Sequence, residues 1–298
     1  MTNITIVGAG AIGSAIGLVL KSKKDVKIDF WDKVPGKVKN QKSLKEIVLN
    51  ADFLFFCLPS FALPSAISET KKFLNKKTIV ISVSKGIEKK SHQFINILLK
   101  KSLPKNQGFT LLYGPMLANE LLKNHYGAAI VASSNKQIFA KTKKIFTNTK
   151  LIVEYTSDVN GVAALGVLKN IYSIALGVAR GLNWQNNLKG FLVSQALEEM
   201  SGLMPILGGQ KTTVLSSAGA GDLIATGFSA DSHNQKVGFK LGQGLKSEKA
   251  SEGCYSLPIL AKFLGKKINQ FPLLSALEQI VVKNKKAKII FDQLLKKI

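Results

Sequence analysis

Apolar residues in this chain fall into two textures, and the change comes near Tyr155. Before it, short and nearly continuous apolar runs recur at 3–7, 26–31, 51–58, 78–83, 109–113, 128–132 and 151–153. Such runs read as strands buried on both faces of a parallel sheet. Stretches with helical spacing lie between them, for example 95–100 and 137–146. Strands alternating with helices, joined by right-handed crossovers, predict a doubly wound α/β sheet. From 158 to 179 apolar residues recur at helical spacing, and 188–207 repeats the pattern. Further helices are expected across 234–241, 257–264, 272–282 and 287–295, and no strand alternation follows Glu154. The expected organisation is a sheet domain over 1–156 and an all-α domain over 157–298. The two are expected to pack directly, with ligand between them at the carboxyl ends of the strands.

The first strand runs into Gly8-Ala9-Gly10-Ala11-Ile12-Gly13, and a helix-like run follows. This is G-x-G-x-x-G with a strand before it and a helix after it, the context in which the pattern means dinucleotide binding. Gly8 permits the tight turn. Gly10 lets backbone N–H groups approach a pyrophosphate, and Gly13 lets helix and strand pack closely, while the helix N-terminus faces the phosphate charge. The first domain therefore reads as Rossmann-like. The second strand ends at Asp32, 22 positions after Gly10. An acid there suits a ribose 2′-hydroxyl and repels a 2′-phosphate, which favours NAD, with NADP as the alternative. The plainer reading is a Rossmann-like domain that has lost its ligand, with Asp32 an ordinary surface acid.

Composition narrows the class. A chain of 298 residues, 46% hydrophobic and 20% charged, can bury a substantial core. No apolar run looks long enough to cross a membrane, and the chain starts directly on a strand, so no signal peptide is expected. Cys57 and Cys254 are the only cysteines. Cys57, in an apolar strand, reads as a small buried hydrophobe. Two cysteines make neither a disulfide framework nor a metal site, so a cytoplasmic setting is expected. The net charge of +24 raises nucleic-acid binding, yet Arg180 is the sole arginine among 42 basic residues. Base and phosphate readout favours the arginine fork, and the lysines are spread along the whole chain. A lysine-coated surface that attracts an anionic substrate and cofactor fits better than a nucleic-acid partner.

Several motifs, taken in order, resemble the bacterial type of the NAD(P)-dependent glycerol-3-phosphate dehydrogenases. Gly8 to Gly13 matches the family's opening fingerprint. Leu58-Pro59-Ser60 matches its V-P-S after the third strand. Ser84-Lys85-Gly86-Ile87-Glu88 resembles T-K-G-[IL]-E, and Gly114-Pro115-Met116-Leu117-Ala118-Asn119-Glu120 resembles G-P-[ST]-x-A-x-E. Leu168-Lys169-Asn170 matches the K-N of a long helix. Ala218-Gly219-Ala220-Gly221-Asp222-Leu223 resembles A-G-x-G-D-L, and Leu241-Gly242-Gln243-Gly244 matches L-G-x-G. Order and spacing agree over nearly the whole chain.

The resemblance implies NAD(P)-dependent reduction of dihydroxyacetone phosphate to sn-glycerol 3-phosphate, feeding glycerophospholipid synthesis. It implies that Lys169 is the acid/base, with Lys85 close by, binding substrate and helping to depress the lysine's pKa. Asp222 would fix the ammonium or a substrate hydroxyl, and Asn170 and Thr226 would orient the site. A carbonyl reduction needs such a proton donor. The flanks of Lys169 are apolar, and a lysine buried among them needs a reason because burying its charge is costly. Asp222 also reads as an N-cap, Lys85 as a solvated loop lysine, and Asn170 and Thr226 as ordinary polar residues. The implied substrate set also includes Gly114, Met116, Ser232, His233 and Asn234. The implied cofactor set is Gly8, Gly10, Ala11, Ile12, Gly13, Asp32, Lys33, Ser60, Lys85, Ala118, His233 and Glu252. A homodimer is carried as an option for assembly.

The departures cluster where the family holds the substrate's phosphate. Its S-R-N-R reads Ser232-His233-Asn234-Gln235 here, Met116 replaces a small hydroxyl residue, and Gln195 replaces an arginine. The segment between the second and third strands is also shorter than the family's. Either arginine loss is drift, with phosphate now held by His233, Asn234 and Lys236, or the substrate has changed. The alternatives are a related reductase of another small oxo or hydroxy compound, or a silent dinucleotide-binding protein. His92 and His125 read as surface residues.

Overall fold

The computed structural model describes residues 1–245 and 251–296. The chain divides into two compact units, residues 1–88 with 93–163, and residues 89–92 with 164–298.

The first unit holds a seven-stranded sheet: β1 Thr2–Val7, β2 Val26–Trp31, β3 Phe53–Phe56, β4 Ile79–Ser82, β5 Phe109–Tyr113, β6 Gly127–Ala132 and β7 Leu151–Thr156. Their order is β2-β1-β3-β4-β5-β6-β7. The order reverses between β1 and β3, and a doubly wound sheet opens its ligand crevice at such a point, beyond the strand carboxyl ends. β1 pairs in parallel with β2 and with β3, Val7 opposite Trp31 and Phe56. The central strands β3 and β4 are buried throughout, as their unbroken apolar runs require.

One strand corrects the all-parallel expectation: β6 runs antiparallel to β5. The connection carries only the five-residue helix Ala118–Leu122. At about 1.5 Å per residue it spans roughly 7.5 Å, too little to return along a strand that rises about 3.3 Å per residue. The chain therefore re-enters the sheet from the end at which it left.

Helix Ala11–Lys21 packs Ala15, Ile16, Val19 and Leu20 against the sheet. It lies so close that a Cβ on Gly17 would come within 2.2 Å of the Phe30 ring. The core of this unit includes Ile6, Phe55, Leu112 and Phe146, with the rings of Phe55 and Phe146 edge to face at 6.3 Å.

Beyond β7 the described residues form helices and turns only. Helix Val159–Gly181 has mean hydropathy 1.7 over a window that is wholly buried. By length and composition it is apolar enough to cross a membrane, which corrects the expectation that no run is; its burial instead makes it an interior helix. Helix His233–Gly242 crosses it backbone to backbone. A Cβ on Gly238 would lie 2.0 Å from the Ile174 carbonyl oxygen, and one on Gly242 would lie 2.4 Å from that of Val178. Gly177 and Gly181 meet the same crossing from the other side. Four small residues thus fix the register of the two helices. Helix Glu252–Leu264 starts five residues before its expected onset, because Ser251 caps it by accepting the Cys254 N–H. Pro258 lies inside that helix and does not open it.

Candidate active site

In the first unit the glycine loop is shaped by what it lacks. Gly8 has φ +105, and a Cβ there would sit 2.4 Å from the Cys57 carbonyl oxygen. A Cβ on Gly13 would sit 1.9 Å from the Gly8 carbonyl oxygen. A Cβ on Gly10 would meet no other part of the chain within 4 Å. Gly10 is the N-cap of helix Ala11–Lys21, and no side chain caps that end and no acid lies in its first turn. Its N–H groups therefore remain for an anion. These features fit a pyrophosphate, and hence a dinucleotide. Cys57 lies buried beneath the loop, and burial pushes its thiol far above the ordinary range, so it acts as the small hydrophobe expected.

Asp32 stands at the end of β2. Its Oδ2 accepts the Ala9 N–H at 2.8 Å, and its Oδ1 accepts the Val34 N–H at 3.0 Å. Ala11 and Lys33 are exposed, and Ile12 is half-buried. The carboxyl ends of β3, β4 and β5 are tied by side chains. Ser84 Oγ donates to the Leu58 carbonyl at 2.6 Å, and the Tyr113 hydroxyl donates to the Ser84 carbonyl. Lys85 Nζ donates to the Gly114 carbonyl at 3.4 Å and lies 5.3 Å from the centre of the Tyr113 ring. Lys85 is thus held at the strand ends, half-buried, unlike a freely solvated loop lysine. Ser60 is buried in the turn after β3, and Ala118 opens the short helix after β5. Met116 is packed into the hydrophobic core of this unit.

In the second unit Lys169 is 7% exposed and Asp222 2%. Lys169 Nζ donates to Thr226 Oγ1 at 3.0 Å and lies 3.3 Å from Asp222 Oδ1. The Thr226 hydroxyl donates in turn to Asp222 Oδ1 at 3.0 Å. Asp222 and Thr226 are four residues apart on helix Asp222–Phe228, so one face presents both to the ammonium. The N-cap alternative for Asp222 gives way: Gly221 is the cap, and Asp222 is the first helical residue. The buried ammonium therefore has a carboxylate and a hydroxyl opposite it, which is what allows it to stay charged inside.

A second network holds Asn170. Asn234 Nδ2 donates to Asn170 Oδ1 at 2.9 Å, and Asn234 Oδ1 accepts the Gly253 N–H at 2.9 Å. One amide thereby joins three helices, next to Glu252. Ser232 caps helix His233–Gly242 by accepting the Gln235 N–H at 3.3 Å, and His233 is exposed on its first turn. Arg180 Nη1 donates to Gln235 Oε1 at 3.3 Å and stacks over Phe239 at 5.0 Å. Lys236, His92 and His125 are exposed.

Sequence reasoning missed two supports. Glu199 is buried and accepts from the Tyr172 hydroxyl at 2.8 Å and from the Leu273 and Leu274 N–H groups at 2.6 and 2.9 Å. Burial raises its carboxyl above the usual range, against the pull of those three donors. A lone glutamate in a helical run carries no signal of this role. The second support is the pair Lys37 and Gln41: Lys37 Nζ lies 3.3 Å from Asp32 Oδ2, and Gln41 binds the Asp32 backbone. The turn residues Pro35-Gly36 are the only sequence hint of that loop.

Residues 31–139 match the family described as NAD-dependent glycerol-3-phosphate dehydrogenase N-terminus, and residues 158–292 match its C-terminus. The glycerol-3-phosphate dehydrogenase [NAD(P)+] of Clostridium tetani is 30% identical, over 84% of this chain and 77% of that protein. The one from Fusobacterium nucleatum is 30% identical over 99% of this chain and 97% of its own length. Among solved structures, glycerol-3-phosphate dehydrogenase from Coxiella burnetii superposes with a TM-score of 0.88 at 26% identity, covering 98% of each chain.

Proposed function

The chain belongs to the NAD-dependent glycerol-3-phosphate dehydrogenase family, and from that premise we propose that it reduces dihydroxyacetone phosphate to sn-glycerol 3-phosphate with Lys169 as the proton donor. It is an NAD(P)-dependent oxidoreductase acting on a CH–OH group. The observation that carries the proposal is the buried Lys169–Thr226–Asp222 cluster.

When bound, the nicotinamide supplies the hydride. The chain's own residues do the rest. Lys169 Nζ holds the proton destined for the substrate's carbonyl oxygen, and its positive charge stabilises the oxyanion as it develops. Asp222 and Thr226 aim the ammonium and keep it from rotating away. Asn234 fixes the amide of Asn170, the next residue along the helix. In the first unit, the uncapped N-terminus after Gly10 supports the role of pyrophosphate binder, with Gly8 and Gly13 shaping the loop. Lys85, anchored on Gly114, serves as a substrate-binding cation. For the phosphate, the second unit offers the N-terminal turn of helix His233–Gly242, where His233 is exposed. Ser60, Ala118, Glu252 and Lys33 fill the cofactor set as the family likeness suggests. Met116 belongs to the substrate set by family likeness, and it is a core residue of the first unit.

The test is NADH oxidation with dihydroxyacetone phosphate beside unphosphorylated dihydroxyacetone. Rapid turnover of the phosphate ester alone is expected. Equal or faster turnover of the unphosphorylated ketone would overturn the assignment of substrate and point to another small oxo compound.

A further inference from the structure

A cavity of about 240 Å³ lies within the second unit, and none of Lys169, Asn170 and Asp222 lines it. Leu176, Phe228 and Ala230 form its apolar wall, and Arg180, Lys189 and Gln235 its polar one. Its polar wall draws on three helices, Val159–Gly181, Asn186–Leu203 and His233–Gly242. No acid lines it, and among the described residues neither Arg180 nor Lys189 is in an ion pair. Gln235 is 2% exposed, and its Oε1 accepts from Arg180 Nη1 at 3.3 Å. Its Nε2 has no partner among the described residues. The guanidinium is held from another side by the Phe239 ring, 5.0 Å from its centre. With the Gln235 oxygen already taken, the side chains of this wall offer only donors: an amide N–H, an ammonium and the remaining guanidinium N–H groups. Such a set takes an anion.

Arg180 is also the only arginine among 42 basic residues. In a chain that otherwise uses lysine, this is the one place with a planar fork able to grip a phosphate through two parallel bonds. The cavity lies apart from the proton donor. Arg180 follows Lys169 by eleven residues on one helix, about 16 Å of rise, which is more than a three-carbon phosphate ester can bridge. Helix His233–Gly242 separates the two places as well, because Asn234 turns to Asn170 while Gln235 turns to Arg180. We propose that this cavity binds a phosphate monoester with a short apolar body, at a site separate from the one where reduction takes place. Arg180, Lys189 and the Gln235 amide hold the phosphate, and Leu176 and Phe228 cover the body.

The experiment is a calorimetric titration of the purified chain with phenyl phosphate and with inorganic phosphate, at one ionic strength. The samples are wild type, Arg180→Ala, Lys189→Ala and, as a control for diffuse positive charge, Lys262→Ala, an exposed lysine outside the cavity. Phenyl phosphate should bind wild type more tightly than inorganic phosphate does. Its affinity should fall about tenfold or more in Arg180→Ala and in Lys189→Ala, and stay unchanged in Lys262→Ala. Arg180→Lys should restore only part of it, since the fork is lost. The Lys189 side chain makes no hydrogen bond or ion pair among the described residues, so its variant keeps the fold and decides the matter if Arg180→Ala unfolds. Saturating dihydroxyacetone phosphate should not displace the probe, and the KM for that substrate should be the same in Lys189→Ala as in wild type. Unchanged phenyl phosphate affinity in Lys189→Ala, or an equal fall in Lys262→Ala, would overturn the inference. So would displacement by dihydroxyacetone phosphate with a raised KM, which would make the cavity part of the substrate site. Wild-type protein that binds the probe but does not reduce dihydroxyacetone phosphate would overturn the proposed activity and leave the cavity standing.

Discussion

The glycine loop of the first unit is shaped by atoms that are missing, and the lysine cluster of the second by atoms that are present. The loop works because Cβ atoms on Gly8 and Gly13 would collide with backbone, and because the space over Gly10 is open. The cluster works because an ammonium, a hydroxyl and a carboxylate meet at 3.0–3.3 Å across a sequence separation of 57. One region therefore fails by addition and the other by subtraction. The loop is held within the sheet, by the tie from Ala9 to Asp32 and by its packing on Cys57. The cluster exists only once the helices have packed.

Subtraction from the cluster should be the most damaging. Asp222→Ala removes the carboxylate opposite a buried ammonium, and breaking such a pair costs about 3–5 kcal/mol. Denaturant unfolding should show that loss, and turnover should vanish with it. Addition to the loop comes next. Gly13→Ala forces a Cβ onto the Gly8 carbonyl and should cost about 1–3 kcal/mol, with loss of NADH binding. Gly10→Ala separates shape from stability. Its backbone, at φ −75 and ψ −172, suits any residue, and there is room for the methyl. Thermal unfolding should move by no more than about 0.5 kcal/mol, while NADH affinity falls about tenfold or more because the methyl stands where the pyrophosphate approaches. Equal damage from both alanines would break the distinction between close packing and ligand approach.

Glu199 tests the packing behind the cluster. Glu199→Gln replaces an oxygen that accepts from Leu273, Leu274 or Tyr172 with an amide nitrogen, and should cost about 1–3 kcal/mol. The pH dependence has a definite sign. Burial raises the Glu199 carboxyl, so the folded state holds its proton more tightly than the unfolded chain does. That contribution is full at low pH and is lost as pH rises through the raised value. The stability gap between wild type and Glu199→Gln should therefore narrow from acidic towards neutral pH. A gap that widens over that range would contradict the burial argument.

The same contrast explains what was legible in the chain. Sheet, glycine loop and helical second half follow from short-range pattern, because short continuous apolar runs, 3.6-fold periodicity and a strand–turn–helix glycine motif are local properties. The direction of β6 was not legible, since it depends on how far the Ala118–Leu122 helix can carry the chain back along the sheet. The onset of helix Glu252–Leu264 was obscured by Pro258, which imitates a helix start, while the cap at Ser251 carried the true signal. At the site, the burial of Lys169 was foreseeable from its apolar flanks, but its partners Asp222 and Thr226 came from family likeness. The bridge from Asn170 through Asn234 to Gly253 needs three helices in register, and no spacing in the sequence encodes it. The Lys37–Asp32 pair was hidden because a lysine in a lysine-rich loop looks like any other until the fold sets it against a partner.

The most direct test is steady-state reduction of dihydroxyacetone phosphate by Lys169→Ala, with NADH affinity measured on the same sample. Unchanged NADH binding shows that the first unit is intact, so any loss belongs to the lysine. Turnover should drop by about 10²–10⁴, the range expected when a proton donor is removed. Lys169→Arg should also be inactive, since it keeps the charge beside Asp222 but holds its proton too tightly to give it up. Wild-type turnover in Lys169→Ala would contradict the central claim that this ammonium is the acid of the reaction.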